Sequence, residues 1–122
     1  MRFGYVVLYV VDPERCRRFW VEQIGMVVKQ STEAGGFQVA QVGFADQNAA
    51  LELVPLALMR DNPDGLDLAT PSMCFHAADL DKEHARLRAA GVEVSEINEH
   101  CGTRSFAFSD PEDRWFAITA PA

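Results

Sequence analysis

The sequence predicts an α+β fold made of two β-α-β-β-β modules, and three observations carry that expectation. Tyr5 to Gly25, YVVLYVVDPERCRRFWVEQIG, reads as a β-branched strand, an Asp that starts a helix, an amphipathic helix and a Gly that stops it. Ser72 to Gly91, SMCFHAADLDKEHARLRAAG, repeats that punctuation, with Asp79 placed 67 positions after Asp12 and Gly91 66 after Gly25. Each copy is then followed by runs that read as three more strands.

Length and composition fit this reading. The 122 residues suit one domain, residues 1–122, with a first module over about 1–55, a linker over about 56–71 and a second module over about 72–122. A hydrophobic content of 48% is enough for a core. The net charge of −7 argues against a nucleic-acid partner and favours a neutral or cationic ligand, though plain solubility explains it as well. Cys16, Cys74 and Cys101 are odd in number and far apart, which points away from a disulfide framework and towards a reducing compartment. The first apolar run stops at Asp12, too early for a membrane span, and no small-residue cleavage site follows it. A cytoplasmic protein with no membrane partner is expected.

In chain order, Phe3 to Val11 is nearly continuous apolar and predicts a strand buried on both faces. Asp12-Pro13 is a helix start, with Asp as N-cap and Pro where a missing N–H costs nothing. Cys16, Phe19, Trp20 and Ile24 share one helical face, and Gly25 can take the left-handed conformation that ends the helix. Met26 to Gln30, Phe37 to Phe44 and Ala49 to Val54 predict strands, joined by turns at Glu33–Gly36 and Asp46–Asn48. Pro55 to Pro71 is irregular. Met73 to Ala78 opens the second copy, and Asp79 caps a helix whose inner face holds Leu80, His84 and Leu87. Val92 to Ile97, Thr103 to Ser109 and Arg114 to Thr119 predict strands, with a loop over Asn98–Gly102 and a tight turn over Asp110–Asp113. Neither module buries its own sheet and helix well, so the two should share a core or enclose a cleft.

The strand ending in Asp12, Ile24-Gly25-Met26, Leu51-Glu52-Leu53, Asp79-Leu80-Asp81, Ala90-Gly91-Val92, and Gly102-Thr103-Arg104 leading to Asp110-Pro111 occur in an order that resembles the vicinal oxygen chelate superfamily. That group includes glyoxalase I, extradiol dioxygenases, fosfomycin-resistance enzymes and bleomycin-resistance proteins. The resemblance implies paired modules whose mixed sheets form a cup, usually completed in a homodimer. It also implies four metal-ligand positions, which fall here on Tyr5, Ser72, Glu52 and Ala117. Only Glu52 is a usual ligand. Divalent ions need several His or carboxylate donors converging on one point, so the usual metal chemistry is disfavoured and no cofactor is expected. The character nearest to this chain is that of metal-free bleomycin-resistance-like proteins, which sequester antibiotics or toxins.

Strand side chains alternate faces. If Tyr5 and Ser72 hold the old ligand positions, then Val7, Tyr9, Cys74, His76 and Trp115 share their face, beside Glu52. The opposite parity, from Leu8 and Val10 to Phe116 and Ile118, is apolar and suits helix packing. A small aromatic or cationic organic compound would then lie against Tyr5, Val7, Tyr9, Glu52, Ser72, Cys74, His76, Arg104 and Trp115. Glu52 and His76 are the candidates for any acid–base role.

Each residue also has a plainer reading. Glu52 could pair with Arg104, and Arg104 suits a surface ion pair. His76 and Trp115 could be filling residues. Cys74 reads as a small buried hydrophobe and His84 as structural. The competing functional expectation is a lyase, isomerase or dioxygenase. It would use a metal-free Glu52–His76 pair, or a divalent metal at a displaced site made from Glu52, His76 and His100 or Glu99. No role is assigned to Cys101.

Overall fold

Asp12 and Asp79 each start a helix, through the same local chemistry. The Asp12 carboxylate accepts from the Arg15 N–H at 3.1 Å, and the Asp79 carboxylate accepts from the Lys82 N–H at 3.1 Å. The structure, a computed structural model, describes residues 1–121. It divides between Pro71 and Ser72 into two units.

The first unit holds β1 (Val6–Val10), α1 (Pro13–Arg18), β2 (Val27–Ala34), β3 (Phe37–Gly43) and β4 (Leu51–Pro55). Its sheet has the order β1-β4-β3-β2, with β1 parallel to β4 and the other pairs antiparallel. α1 packs on β3 and β4. Cys16, Phe19, Trp20 and Ile24 are all buried, as their spacing predicts, beside Leu8, Val10, Ala40, Val42, Leu51 and Leu53. The helix does not stay α-helical to Ile24, however. From Phe19 to Ile24 it widens into a π-helical turn, with the Gly25 N–H donating to the Trp20 carbonyl, and Phe19, Trp20 and Ile24 stay inside. Gly25, at φ 102°, ends it.

Several strand expectations change in the first unit. β1 starts at Val6, and Phe3 is 86% exposed. It is buried on one face only, the face with Leu8 and Val10, because the helix covers one side of the sheet. β2 runs on through Glu33 and Ala34, so that Gly35 and Gly36 alone make the turn, at φ 56° and 84°. Positive φ at both central residues matches the right-handed twist of a tight hairpin. A bulge at Lys29 shifts the β2–β3 register, and the Lys29 ammonium donates to the Gln47 carbonyl. In the segment expected to be irregular, Leu56–Met59 form a 3-10 turn.

The second unit holds β5 (Cys74–His76), α2 (Leu80–Ala89), β6 (Asn98–His100), β7 (Thr103–Ser109) and β8 (Trp115–Thr119). The order β5-β8-β7-β6, with β5 parallel to β8, reproduces the first sheet, so the repeat read from sequence is a repeat of topology. Leu80 and Leu87 of α2 are buried, as are Phe106, Phe108, Phe116 and Ile118 of the sheet.

His84 takes the structural role expected of it, and also explains a misplaced strand. Its Nε2 donates to the Ser95 carbonyl at 2.8 Å, and its ring meets Phe106 edge-on at 4.8 Å. The Ser95 N–H still reaches the Ala107 carbonyl at 2.8 Å, but the Ala107 N–H bonds the Ser95 hydroxyl, at 2.8 Å, and not the Ser95 carbonyl. A side-chain acceptor replaces a ladder bond, and the ladder breaks. Val92 to Ile97 is therefore not a continuous strand but a single bridge, Val94 to Phe108, and pairing resumes at Asn98, where a loop was expected.

The β7–β8 turn is built on a buried carboxylate. Asp110 accepts from the Glu112 N–H at 2.9 Å, the Arg114 N–H at 2.8 Å and the Arg114 guanidinium at 3.1 Å. Burial pulls the Arg114 guanidinium down, but Asp110 and Glu112 outweigh it and hold it above its ordinary value. Among the described residues, no helix is long and apolar enough to cross a membrane.

Candidate functional site

A helix covers one face of each sheet, so any exposed chemistry collects on the opposite face. In the first unit, register aligns Val7 on β1 with Glu52 on β4, and Glu52 with Gln41 on β3. Tyr9 lies in the next row, beside Val54. Val7, Tyr9, Gln41 and Glu52 are half-buried, and Tyr5, just before the strand, is 45% exposed. The expected alternation of faces is therefore observed, with the aromatic and acidic residues on the open side. Glu52 does not pair with Arg104. Its carboxylate accepts from the Gln41 side-chain amide at 2.8 Å. Gln41 escaped the sequence reading, although a lone amide within Val39-Ala40-Gln41-Val42-Gly43 is a usable signal.

In the second unit, Cys74 aligns with Ala117 and His76 with Thr119. Ser72, Cys74 and His76 are exposed, and Trp115 is 46% exposed, while Phe116 and Ile118 point inward. Cys74 is thus not the buried hydrophobe its type suggests. Its thiol lies 3.6 Å from the Thr119 hydroxyl. The edge strand β5 has no helix on this side.

Arg104 has to be removed from the candidate ligand-binding residues. Its neighbour Ser105 pairs with Thr119, and Phe106 with Ile118, so Arg104 shares the helix-packed parity of Phe106. There it makes two bonds to Asp81 of α2, at 2.8 and 2.9 Å. The Arg104 hydrogen bond holds the Asp81 carboxyl below the usual carboxylate range. Glu99 faces Arg104 across the β6–β7 pair, and His100 faces Thr103. Cys101 and Gly102 form the turn of that hairpin, at φ 51° and 78°.

The divalent ion held by the superfamily's enzymes does not fit these residues. Of the four family ligand positions, Tyr5, Ser72 and Ala117 carry no usual donor, and Glu52 alone would be left to hold the ion. Among the described residues, no three His, Cys, Asp or Glu side chains gather as a metal site. A cavity of about 350 Å³ does exist in the first unit, but on its helix side, between α1 and the β2–β3 hairpin. Pro13, Phe37, Ala40 and Leu53 line it, with Arg17 at its edge already paired to Glu14.

Comparison with known proteins agrees with this architecture. The family model described as the Glyoxalase/Bleomycin resistance protein/Dioxygenase superfamily matches residues 2–118. YetH of Bacillus subtilis (strain 168) is 25% identical over 122 residues, covering 96% of each chain. Among solved structures, TnmS3, an antibiotic binding protein from Streptomyces sp. CB03234, aligns over 100% of this chain and 97% of its own, with a TM-score of 0.81 and 21% identity. A superfamily member from Sphaerobacter thermophilus aligns over 99% and 98%, with a TM-score of 0.79 and 18% identity. Both structures share the fold.

Proposed function

The chain belongs to the Glyoxalase/Bleomycin resistance protein/Dioxygenase superfamily, and we propose that it works there as a metal-independent binder of a small aromatic or cationic organic compound. The observation that carries this is the setting of Glu52. The one acidic residue at a family ligand position sits half-buried on the sheet face that Tyr5, Val7 and Tyr9 share, bonded to an amide rather than set among metal donors. A carboxylate beside aromatic rings suits an organic cation with an aromatic body. Trp115, His76, Cys74 and Ser72 offer a stacking ring and small polar groups on the open face of the second sheet. That TnmS3 is an antibiotic binding protein supports an antibiotic-sequestering role.

Cys16, Cys74 and Cys101 are free thiols, which supports a reducing, cytoplasmic setting. A homodimer is proposed from the superfamily resemblance, with sedimentation analysis as its check.

The test is a thermal-shift screen of aromatic and cationic antibiotics, with elemental analysis of the purified protein. A ligand at a hundred times its Kd adds about 2.7 kcal/mol of stability and raises Tm by several degrees. A stoichiometric transition metal in the protein, or no stabilisation by any class, would overturn the proposal.

A further inference from the structure

From the Gln41–Glu52 pair we infer that the site selects an organic cation carrying at least two N–H donors, such as a primary ammonium or an amidinium, over a quaternary ammonium. The inference rests on the cationic-ligand reading above and specifies its chemistry.

An ionised carboxylate only accepts hydrogen bonds, whereas a side-chain amide has one donating and one accepting end. At 2.8 Å from a Glu52 oxygen, Gln41 must present its nitrogen, because two facing oxygens would repel. Its carbonyl oxygen therefore points away from Glu52. The pair offers that oxygen and the second carboxylate oxygen as two acceptors, and among the described residues neither takes another side-chain donor.

Among the described residues, no cation pairs with Glu52. Lys29, on the neighbouring strand pair, is committed to the Gln47 carbonyl, and Arg104 is committed to Asp81. Gly43 follows Gln41 on the same face. A side chain there would start 2.4 Å from the Ala49 carbonyl and 3.0 Å from the Lys29 Cε, so the Lys29 stem covers that position while its ammonium turns to the Gln47 carbonyl. A half-buried carboxylate without a counter-ion carries a desolvation cost that a bound cation would relieve. A ligand with two N–H groups can fill both acceptors. A quaternary ammonium fills neither and keeps only its charge and its contact with the tyrosines.

Calorimetric titration with benzamidine and with benzyltrimethylammonium tests this on the full chain. Wild type is expected to bind benzamidine at least tenfold more tightly. Gln41→Leu should lose about tenfold for benzamidine and leave benzyltrimethylammonium unchanged, the loss of one charge-assisted bond. Glu52→Gln should weaken both. Gln41→Met, closer in shape, is the second variant if the leucine variant does not fold. Equal binding of both probes, or indifference of benzamidine to Gln41, would overturn the inference while leaving the cation-binding proposal standing. Failure of both probes to bind, with no shift in the Gln41 and Glu52 resonances, would overturn both.

Discussion

Replacing Gln41 and Glu52 with leucine, singly and together, separates a structural from a functional reading of the pair. Buried charge-assisted hydrogen bonds contribute about 1.5–3 kcal/mol, and half-burial places this one at or below that range, at about 1–1.5 kcal/mol. The cycle isolates this coupling. Relief of negative charge and added apolar burial occur with Glu52→Leu whether or not Gln41 is present, and so cancel. Glu52→Leu alone should be neutral or stabilising, since it removes a half-buried carboxylate that has no cationic partner among the described residues. That is the mark of a residue kept for something other than stability. Urea unfolding is the assay, with midpoints moving at unchanged slope. A coupling below about 0.3 kcal/mol would show that the bond does not form in solution. A loss above about 2 kcal/mol for Glu52→Leu would refute the argument differently, by making Glu52 part of the framework.

Two further outcomes follow from the second unit. Asp110→Ala should cost about 3–5 kcal/mol, as removal of one partner from a buried ion pair does, and Asp110→Asn should recover part of that through the Glu112 and Arg114 N–H groups; urea unfolding checks both. The Asp81 carboxyl titrates lower in the folded than in the unfolded state, so its contribution is present above the unfolded carboxylate pKa and lost as pH falls through the folded one; Arg104→Gln should flatten that acid limb in a pH series of melts and leave benzamidine binding unchanged.

Sequence reading succeeded where a local rule decides the outcome. Asp12 and Asp79 act as caps, Gly25 as a stop, and Cys16, Phe19, Trp20 and Ile24 as a buried face, because each depends on a few neighbouring residues. It failed where tertiary partners intervene. The strand break at Ser95 depends on His84, which is distant in sequence and claims the carbonyl a ladder would use. The same limit applies to Arg104. Its placement after a turn said nothing about parity, and only the pairing of β7 with β8 shows that it lies on the helix side, opposite Asp81. Glu52 was found through family position, whereas Gln41 needed the β3–β4 register to become visible as its partner.

The two modules repeat each other in topology but not in chemistry, and that difference bears on function. The pairing of β1 with β4 matches that of β5 with β8, so Val7 opposite Glu52 corresponds to Cys74 opposite Ala117. One sheet keeps a carboxylate and two tyrosines on its open face; the other has a tryptophan, a histidine and small side chains there. A scaffold preserved for stability alone needs only the helix-packed parity, and the buried residues of that parity are apolar in both sheets, Leu8, Val10, Ala40, Val42, Leu51 and Leu53 in one and Phe106, Phe108, Phe116 and Ile118 in the other. The open faces escape that constraint, and they are where the copies diverge. Glu52 therefore has no structural twin: its counterpart across the repeat, Ala117, supports the same strand pairing without any charge. The sheet does not require a carboxylate at this position, so its presence in the first module, beside an amide that can aim it, supports the proposed role of Glu52 in holding a ligand.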